Sequence, residues 1–309
     1  MRVVFLGTPA FAVPSLQGLA RAHEVLGVFT QPDRPKGRGN QVAESPVKTV
    51  AKTLGLPLHQ PERIRRPESV ELLGALGADI LIVVGYGQII PQSIIDLPRH
   101  GILNVHASLL PKYRGAAPIQ WAIANGETET GVTIMQIDAG LDTGDMLLKA
   151  EAPIGADETA PELSERLAPL GADLLLTAMD QIARGEARHE KQDDGTASLA
   201  PILKKEDGWV DWSRTAGNIY NRLRGFNPWP GAYTAFRGQQ LNIFHARPAE
   251  ANLPPGTLRA EKRRVLVGCG EDTALELLEI QLAGKKRMTA EALLNGYKLN
   301  ENEKLGGRA

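Results

Sequence analysis

At 309 residues the chain exceeds the usual size of a single hydrophobic core and predicts two domains. With 42% hydrophobic and 23% charged residues and a net charge of −1, the composition is globular and excludes disorder as the default state. The single cysteine, Cys269, excludes an intramolecular disulfide framework and any cysteine-based metal cluster, and the six histidines offer no His-x-x-x-His pair, so no metal is expected.

The opening Met1-Arg2-Val3-Val4-Phe5-Leu6 meets Gly7 and Pro9 too early for a signal-peptide core. No apolar run approaches the roughly 18 residues of a membrane span, so no membrane partner is expected, and the lone cysteine fits a reducing compartment such as the cytoplasm. Val3 to Leu6 reads as a buried strand, followed by a turn and a helix carrying Phe11, Leu16 and Leu19. Residues 25–30 supply a second strand, residues 31–41 a polar loop, and residues 47–54 a helix started by Ser45-Pro46. After a helix over 68–76, the run 79–84, apolar from Ile80 on and mostly β-branched, predicts a strand buried on both faces. Further strands are predicted at 101–106 and 132–137, with helices over 118–125 and 158–184. This rhythm predicts an α/β fold over residues 1–189, with a mostly parallel sheet covered by helices.

A polar stretch, 190–206, reads as a linker, and the chain then changes character. A helix over 215–223, the interruption Phe226-Asn227-Pro228-Trp229-Pro230-Gly231, and short strands at 232–236, 241–245, 264–267 and 274–280 predict a small β-rich barrel over 207–309. One terminal helix is expected over 290–296.

A glycine after the first strand invites a dinucleotide reading, but Gly7-Thr8-Pro9-Ala10-Phe11-Ala12 lacks the later glycines of that fingerprint. Pro9 also has no N–H to donate to a pyrophosphate. The chemistry concentrates instead in the segment 104–118. Asn104 and His106 have period-two spacing at a strand end, so both side chains leave one face. They offer an amide donor and a group able to exchange protons near neutral pH. The loop 137–145, with Gly140 and Gly144, brings one of Asp138, Asp142 or Asp145 toward His106, and the spacing does not choose among them.

At these residues the chain resembles the methionyl-tRNA formyltransferases, a folate-dependent family, over essentially its full length. The resemblance rests on Phe5-Leu6-Gly7-Thr8-Pro9, the loop 31–39, the segments 104–119 and 135–146, and Asn227-Pro228-Trp229-Pro230-Gly231-Ala232. It implies a Rossmann-like formyltransferase domain followed by an OB-like barrel. It also implies transfer of a formyl group from 10-formyltetrahydrofolate to the amino group of initiator methionyl-tRNA, with no obligatory protein partner. Asn104, His106 and Asp142 match the family's catalytic residues, which selects Asp142. Asn104 would donate to the developing oxyanion, and Asp142 would fix the His106 tautomer and favour the protonated ring, or take the amine proton through water. Val84, Gly85, Tyr86 and Gly87 would form one wall of the folate cleft and Ser108, Leu109, Leu110 and Pro111 another. Tyr86 could equally be a surface aromatic packing its own loop, and Tyr113 and Trp121 are open between packing and ligand contact.

Charge is divided unevenly along the chain. Residues 1–203 carry 18 basic and 24 acidic side chains, whereas residues 204–309 carry 17 and 12, net +5. Taken with the resemblance, this predicts that Arg34, Lys36 and Arg38 of the early loop meet the tRNA acceptor end. Lys204, Lys205, Lys262, Arg263, Arg264, Lys285, Lys286 and Arg287 would form a track for backbone phosphates. Trp209, Trp212 and Trp229 could stack on bases, although packing roles are the expectation, above all for proline-flanked Trp229.

Overall fold

The computed structural model describes residues 1–36, 41–300 and 303–307. The chain packs as two compact units. The first comprises Met1–Pro118, Glu129–Pro153 and Leu163–Pro201, and the second comprises Ile119–Thr128, Ile154–Glu162 and Ile202–Ala309.

The first unit is built on strands β1 (Arg2–Gly7), β2 (Glu24–Phe29), β3 (Arg34–Lys36), β4 (Gln41–Ala43), β5 (Leu58–His59), β6 (Ile80–Val84), β7 (Ile102–His106), β8 (Glu129–Gln136) and β9 (Met146–Pro153). Seven of these form a sheet of order β5-β2-β1-β6-β7-β8-β9. The pairings from β5 to β7 are parallel, and β8 and β9 are antiparallel. Helices α1 (Val13–Ala22), α2 (Pro46–Thr53), α3 (Pro67–Leu76) and α4 (Gln92–Ile95) come from the intervening segments. Ser45 accepts from the Lys48 N–H and caps α2, as its place before Pro46 predicts. Every residue of β6 is buried, which is why its sequence shows no polar alternation. The strand order reverses between β1 and β6, where an open α/β sheet leaves a crevice at its carboxyl edge.

Two features depart from the expected elements. After β2 the short strands β3 and β4 pair antiparallel, with Arg34 opposite Ala43. The strand β9 follows β8 through a short connection, so the far side of the sheet is a hairpin rather than another parallel crossover.

The second unit holds α5 (Pro118–Ala124) from Ile119 onward and the first residues of α6 (Ala160–Arg184), most of which belongs to the first unit. Its remaining helices are α7 (Ala216–Gly225) and α8 (Ala290–Gly296). The linear division at residue 189 therefore differs from the packing: α7 captures two excursions of the earlier sequence. Arg224 donates to the carbonyls of Gly155 and Glu158 at 3.1 and 2.9 Å, and the Tyr220 hydroxyl donates to Asp157 at 2.7 Å. Trp121 meets Phe226 edge to face, so this tryptophan packs within the second unit.

Nor is the stretch 190–206 a free tether. Glu190 and Met146 exchange backbone hydrogen bonds, and Ala200 donates to the Arg114 carbonyl at 2.7 Å. These bonds hold residues up to 201 in the first unit.

Strands β10 (Ala232–Phe236), β11 (Gln239–Ala249), β12 (Leu258–Glu261), β13 (Arg264–Gly268), β14 (Ala274–Leu282) and β15 (Met288–Thr289) form an antiparallel sheet of order β10-β11-β14-β13-β12, with β15 on β14. Its inner face buries Phe236, Ile243, Val265, Val267, Leu275 and Leu277 beside Trp212, whose indole N–H donates to Thr234 at 3.1 Å. The end strands β10 and β12 do not pair directly. The carboxyl-terminal segment spans the gap: Leu258 donates to the Glu303 carbonyl (2.7 Å), Leu305 to Gly256 (2.8 Å) and Gly306 to Ala235 (3.0 Å). Glu303 also takes both arms of the Arg237 guanidinium, and Leu305 is buried in the barrel core. This is the OB-like barrel, closed by its own tail. Ending the chain before Glu303 should destabilise the second unit by about 3 kcal/mol, chiefly through loss of Leu305 burial. Calorimetry on full-length and shortened chains tests this, and an unchanged transition would show that the tail adds nothing.

Candidate active site

Asn104 and His106 lie on one face of β7, two residues apart. His106 is buried, and its Nε2 is 2.9 Å from the Tyr113 carbonyl oxygen. A carbonyl can only accept, so Nε2 carries the hydrogen and Nδ1 is left for proton exchange. Nδ1 faces the Asp142 Oδ2 atom at 3.6 Å. The Tyr113 backbone carbonyl therefore favours this tautomer, with Asp142 beside the nitrogen left bare. Tyr113 reaches this position with φ 63°, a left-handed conformation costing about 1–2 kcal/mol in a non-glycine residue. Its own N–H is anchored on the Ser198 hydroxyl at 2.9 Å.

Asp142 is the aspartate of its loop that reaches both residues. Asn104 Nδ2 donates to its Oδ1 at 3.3 Å, and the Gly115 N–H donates to its Oδ2 at 2.8 Å. Asp138 instead accepts from Gly140 and Thr143 inside the loop. Because β8 is antiparallel, this loop starts beside Ile102, at the opposite end of β7, and must return along it. Gln192 holds the return by donating to the carbonyls of Asp142 and Gly144, both at 2.8 Å. Buried Arg114 orients Gln192 through a 2.9 Å bond and pairs with Asp194 at 2.7 Å. Gly115 is required by space as well as by φ 122°, since a Cβ there would meet the Ala200 carbonyl at 2.6 Å. Arg114, Gly115 and Gln192 have no site role in the sequence reading, and Tyr113, open there between packing and ligand contact, contributes its backbone carbonyl. Residues 113–115 fall within the recognised segment, but Gln192 lies in a polar stretch with no distinguishing local signal.

The expected folate walls divide into exposed and buried members. Gly85 and Gly87 are exposed at the carboxyl edge with positive φ, while Val84 and Tyr86 are buried. The Tyr86 ring is 1% exposed within the core beside Val4, Leu6 and Phe29, so it is neither a surface aromatic nor a cleft side chain. Burial pushes its phenol pKa well up, and its hydroxyl has no partner among the described residues. Its carbonyl accepts from Thr8 and Gln31 at 3.1 and 3.0 Å. On the other wall, Ser108 is buried and donates to the Lys112 carbonyl at 2.7 Å, and Leu110 packs with Met135 and Met146. Leu109 and Pro111 are half-exposed. Two large apolar side chains near these walls were not singled out: Ile89 is 90% exposed and Leu141 62%. Such open apolar surface beside strand ends suits a flat ring.

The chain matches two known domain families, Formyl transferase over residues 1–179 and Formyl transferase, C-terminal domain, over residues 202–298. Methionyl-tRNA formyltransferase of Solibacter usitatus is 60% identical over 310 residues, covering 99% of each chain. The chain belongs to the methionyl-tRNA formyltransferase family. A second such enzyme, of Koribacter versatilis, is 59% identical over 308 residues, again 99% of each chain. Among solved structures, the N-formyltransferase of Helicobacter canadensis in complex with folinic acid and dTDP-3-aminofucose aligns with a TM-score of 0.66. That alignment covers 89% of this chain and 98% of the other at 18% identity, a likeness of fold.

The basic residues of this family member differ in their surroundings. Arg34 is exposed in β3, and the foot of its loop is pinned by Asp33, which binds Lys48 and accepts from Gln60 at 3.0 Å. The Lys48 bond and the Gln60 bond hold the Asp33 carboxyl below its usual pKa. Arg38 and the side chain of Lys36 lie outside the described residues. Lys204, Lys205 and Lys262 are exposed. Arg263 pairs with Glu291 at 3.2 Å and Arg264 with nearly buried Glu276 at 2.9 Å, so both are partly neutralised. Arg287 pairs with Glu279 at 2.7 Å and lies over the Phe244 ring, whereas Lys285 and Lys286 have no ion pair among the described residues. Trp212 is buried and Trp229, against expectation, is 54% exposed. Among the described residues, no helix is long and apolar enough to cross a membrane, and no three His, Cys, Asp or Glu side chains cluster as metal ligands.

Proposed function

We infer that the chain transfers the formyl group of 10-formyltetrahydrofolate to the α-amino group of methionine on initiator methionyl-tRNA, in the cytoplasm. The observation that carries this reading is identity of about 60% with methionyl-tRNA formyltransferases running through both units. Asn104 keeps one N–H on Asp142 and turns the second, which has no partner among the described residues, to the formyl oxygen, where negative charge builds as the amine attacks. Nδ1 of His106 takes the proton released by the attacking amine, becoming an imidazolium stabilised by Asp142. It then returns that proton to the departing folate nitrogen. The Gly115 N–H and Asn104 keep the Asp142 carboxylate in place throughout. Leu109, Ile89 and Leu141 provide apolar surface for the pterin, with the backbone at Gly85 and Gly87 open beside them.

Formyl transfer measured side by side with methionyl-tRNA, an amino-sugar nucleotide and water as acceptors tests the reading. Methionyl-tRNA should be the productive acceptor. Preferential use of the amino sugar, or release of formate alone, would replace this assignment with one of those activities.

Two further results should follow. Arg38→Ala should lower kcat/KM for methionyl-tRNA at least tenfold while a direct folate titration changes little, the order of loss of a charge-assisted phosphate or base contact. Equal losses in both would indicate a misfolded loop. Lys285→Glu with Lys286→Glu should weaken tRNA binding and flatten the log–log salt dependence by roughly one to two. Arg287→Glu should do less, because Glu279 already offsets that charge. Superimposable salt slopes would remove the two lysines from the RNA track.

A further inference from the structure

In the second unit Trp209 and Tyr233 meet edge to face, with centroids 5.6 Å apart and planes at 79°. Both rings are half-buried, and with Thr234, Gly238, Gln239 and Gln240 they line an open cavity of about 290 Å³. The corner is held from behind. Trp209 donates its backbone N–H to Glu206 at 3.0 Å, and Val210 donates to the Tyr233 carbonyl at 2.9 Å. The Tyr233 ring lies over Gly208, where a Cβ would come within 3.1 Å of Cε1. Thr234 is occupied by the Trp212 indole and Gln240 by Asn242 at 2.7 Å. The Trp209 indole N–H, the Tyr233 hydroxyl and the Gln239 amide have no hydrogen-bond partner among the described residues.

These features suit a flat heteroaromatic ring. It would stack on one side chain, present its edge to the other, and meet three free polar groups able to satisfy its nitrogens and oxygens. They do not suit a phosphate, since no cation lines the cavity and Glu206, Asp207 and Asp211 flank Trp209 in sequence. Phosphate contacts are available just upstream, where Lys204 and Lys205 are exposed. We propose that the Trp209–Tyr233 corner receives one unpaired base of the tRNA substrate, with Lys204 and Lys205 on the adjoining phosphates. This rests on the functional reading above and adds a base-stacking subsite to the second unit.

The test uses the full-length protein, initiator methionyl-tRNA and free adenosine and GMP as probes. The parent, Trp209→Ala and Trp209→Phe are compared by tRNA dissociation constant, tryptophan fluorescence on titration, folate binding and melting. Trp209→Ala should weaken tRNA binding about tenfold, within the range for loss of one stacked base, and abolish the larger part of the saturable quenching. Trp209→Phe should retain affinity within about threefold, and folate binding and melting should be unchanged in both. Equal affinity for tRNA in Trp209→Ala and a parent that formylates normally would overturn the subsite alone. Tight binding of free GMP or adenosine with tRNA affinity insensitive to Trp209 would overturn it in favour of a small-molecule site. A parent that neither binds nor formylates methionyl-tRNA would overturn the functional reading and this subsite with it.

Discussion

Replacing Asn104 by alanine should slow single-turnover formyl transfer by about 10²–10³-fold, the usual loss when one oxyanion donor is removed. The side chain is only partly buried, and its one side-chain bond among the described residues is to Asp142 at 3.3 Å, so the fold should melt within a few degrees of the parent. Replacing His106 by alanine should slow transfer at least as much, because the proposed mechanism routes the amine proton through Nδ1, which faces Asp142 at 3.6 Å. Its ring is also buried, so His106→Gln, which can still donate toward the Tyr113 carbonyl, is the better control for stability. Rapid-quench measurement with saturating folate and charged tRNA checks both. Near-parental single-turnover rates in a folded Asn104 or His106 variant would defeat the catalytic assignment.

The second large effect is expected at Asp142, where asparagine is the informative replacement. Asp142 has φ 51°, which asparagine tolerates better than alanine, so the backbone should persist while the charge is lost. The carboxylate accepts on both arms, from Asn104 and from the Gly115 N–H. An amide supplies one acceptor and one donor, so either orientation sets an N–H against another N–H unless Asn104 flips and loses its aim. Asp142→Asn should therefore slow transfer about 10²-fold or more and alter its pH profile, with folate affinity largely retained. Because Asn104 is held through Asp142, the Asn104→Ala, Asp142→Asn pair should be far from additive, the double variant being little slower than the slower single variant. Fully multiplicative losses would show that the two act independently, and an unchanged rate and pH profile in Asp142→Asn would exclude its electrostatic role.

Much of the first unit could be read directly from local pattern. Residues 80–84 are buried on both faces, so their side chains alone announce a central strand. Asn104 and His106 were visible as a pair because period-two spacing on a strand leaves only one face for both. The helix cap at Ser45 was equally local, since its hydroxyl serves an N–H three residues on.

The choice among the three aspartates of the 137–145 loop had no local basis. It depends on the antiparallel return of β8, on Gln192 from a distant segment holding the loop, and on a Gly115 N–H aimed at one carboxylate. The same limit explains Tyr86, whose flanking glycines resemble a surface turn while the ring enters the core. It also explains the barrel closure by residues 303–306 and the open Trp209–Tyr233 corner. Periodicity and capping act over a few residues and are written into neighbouring side chains. Which carboxylate meets which histidine, and which aromatic stays open, is set by contacts between segments far apart in the chain, whose partners no local pattern names.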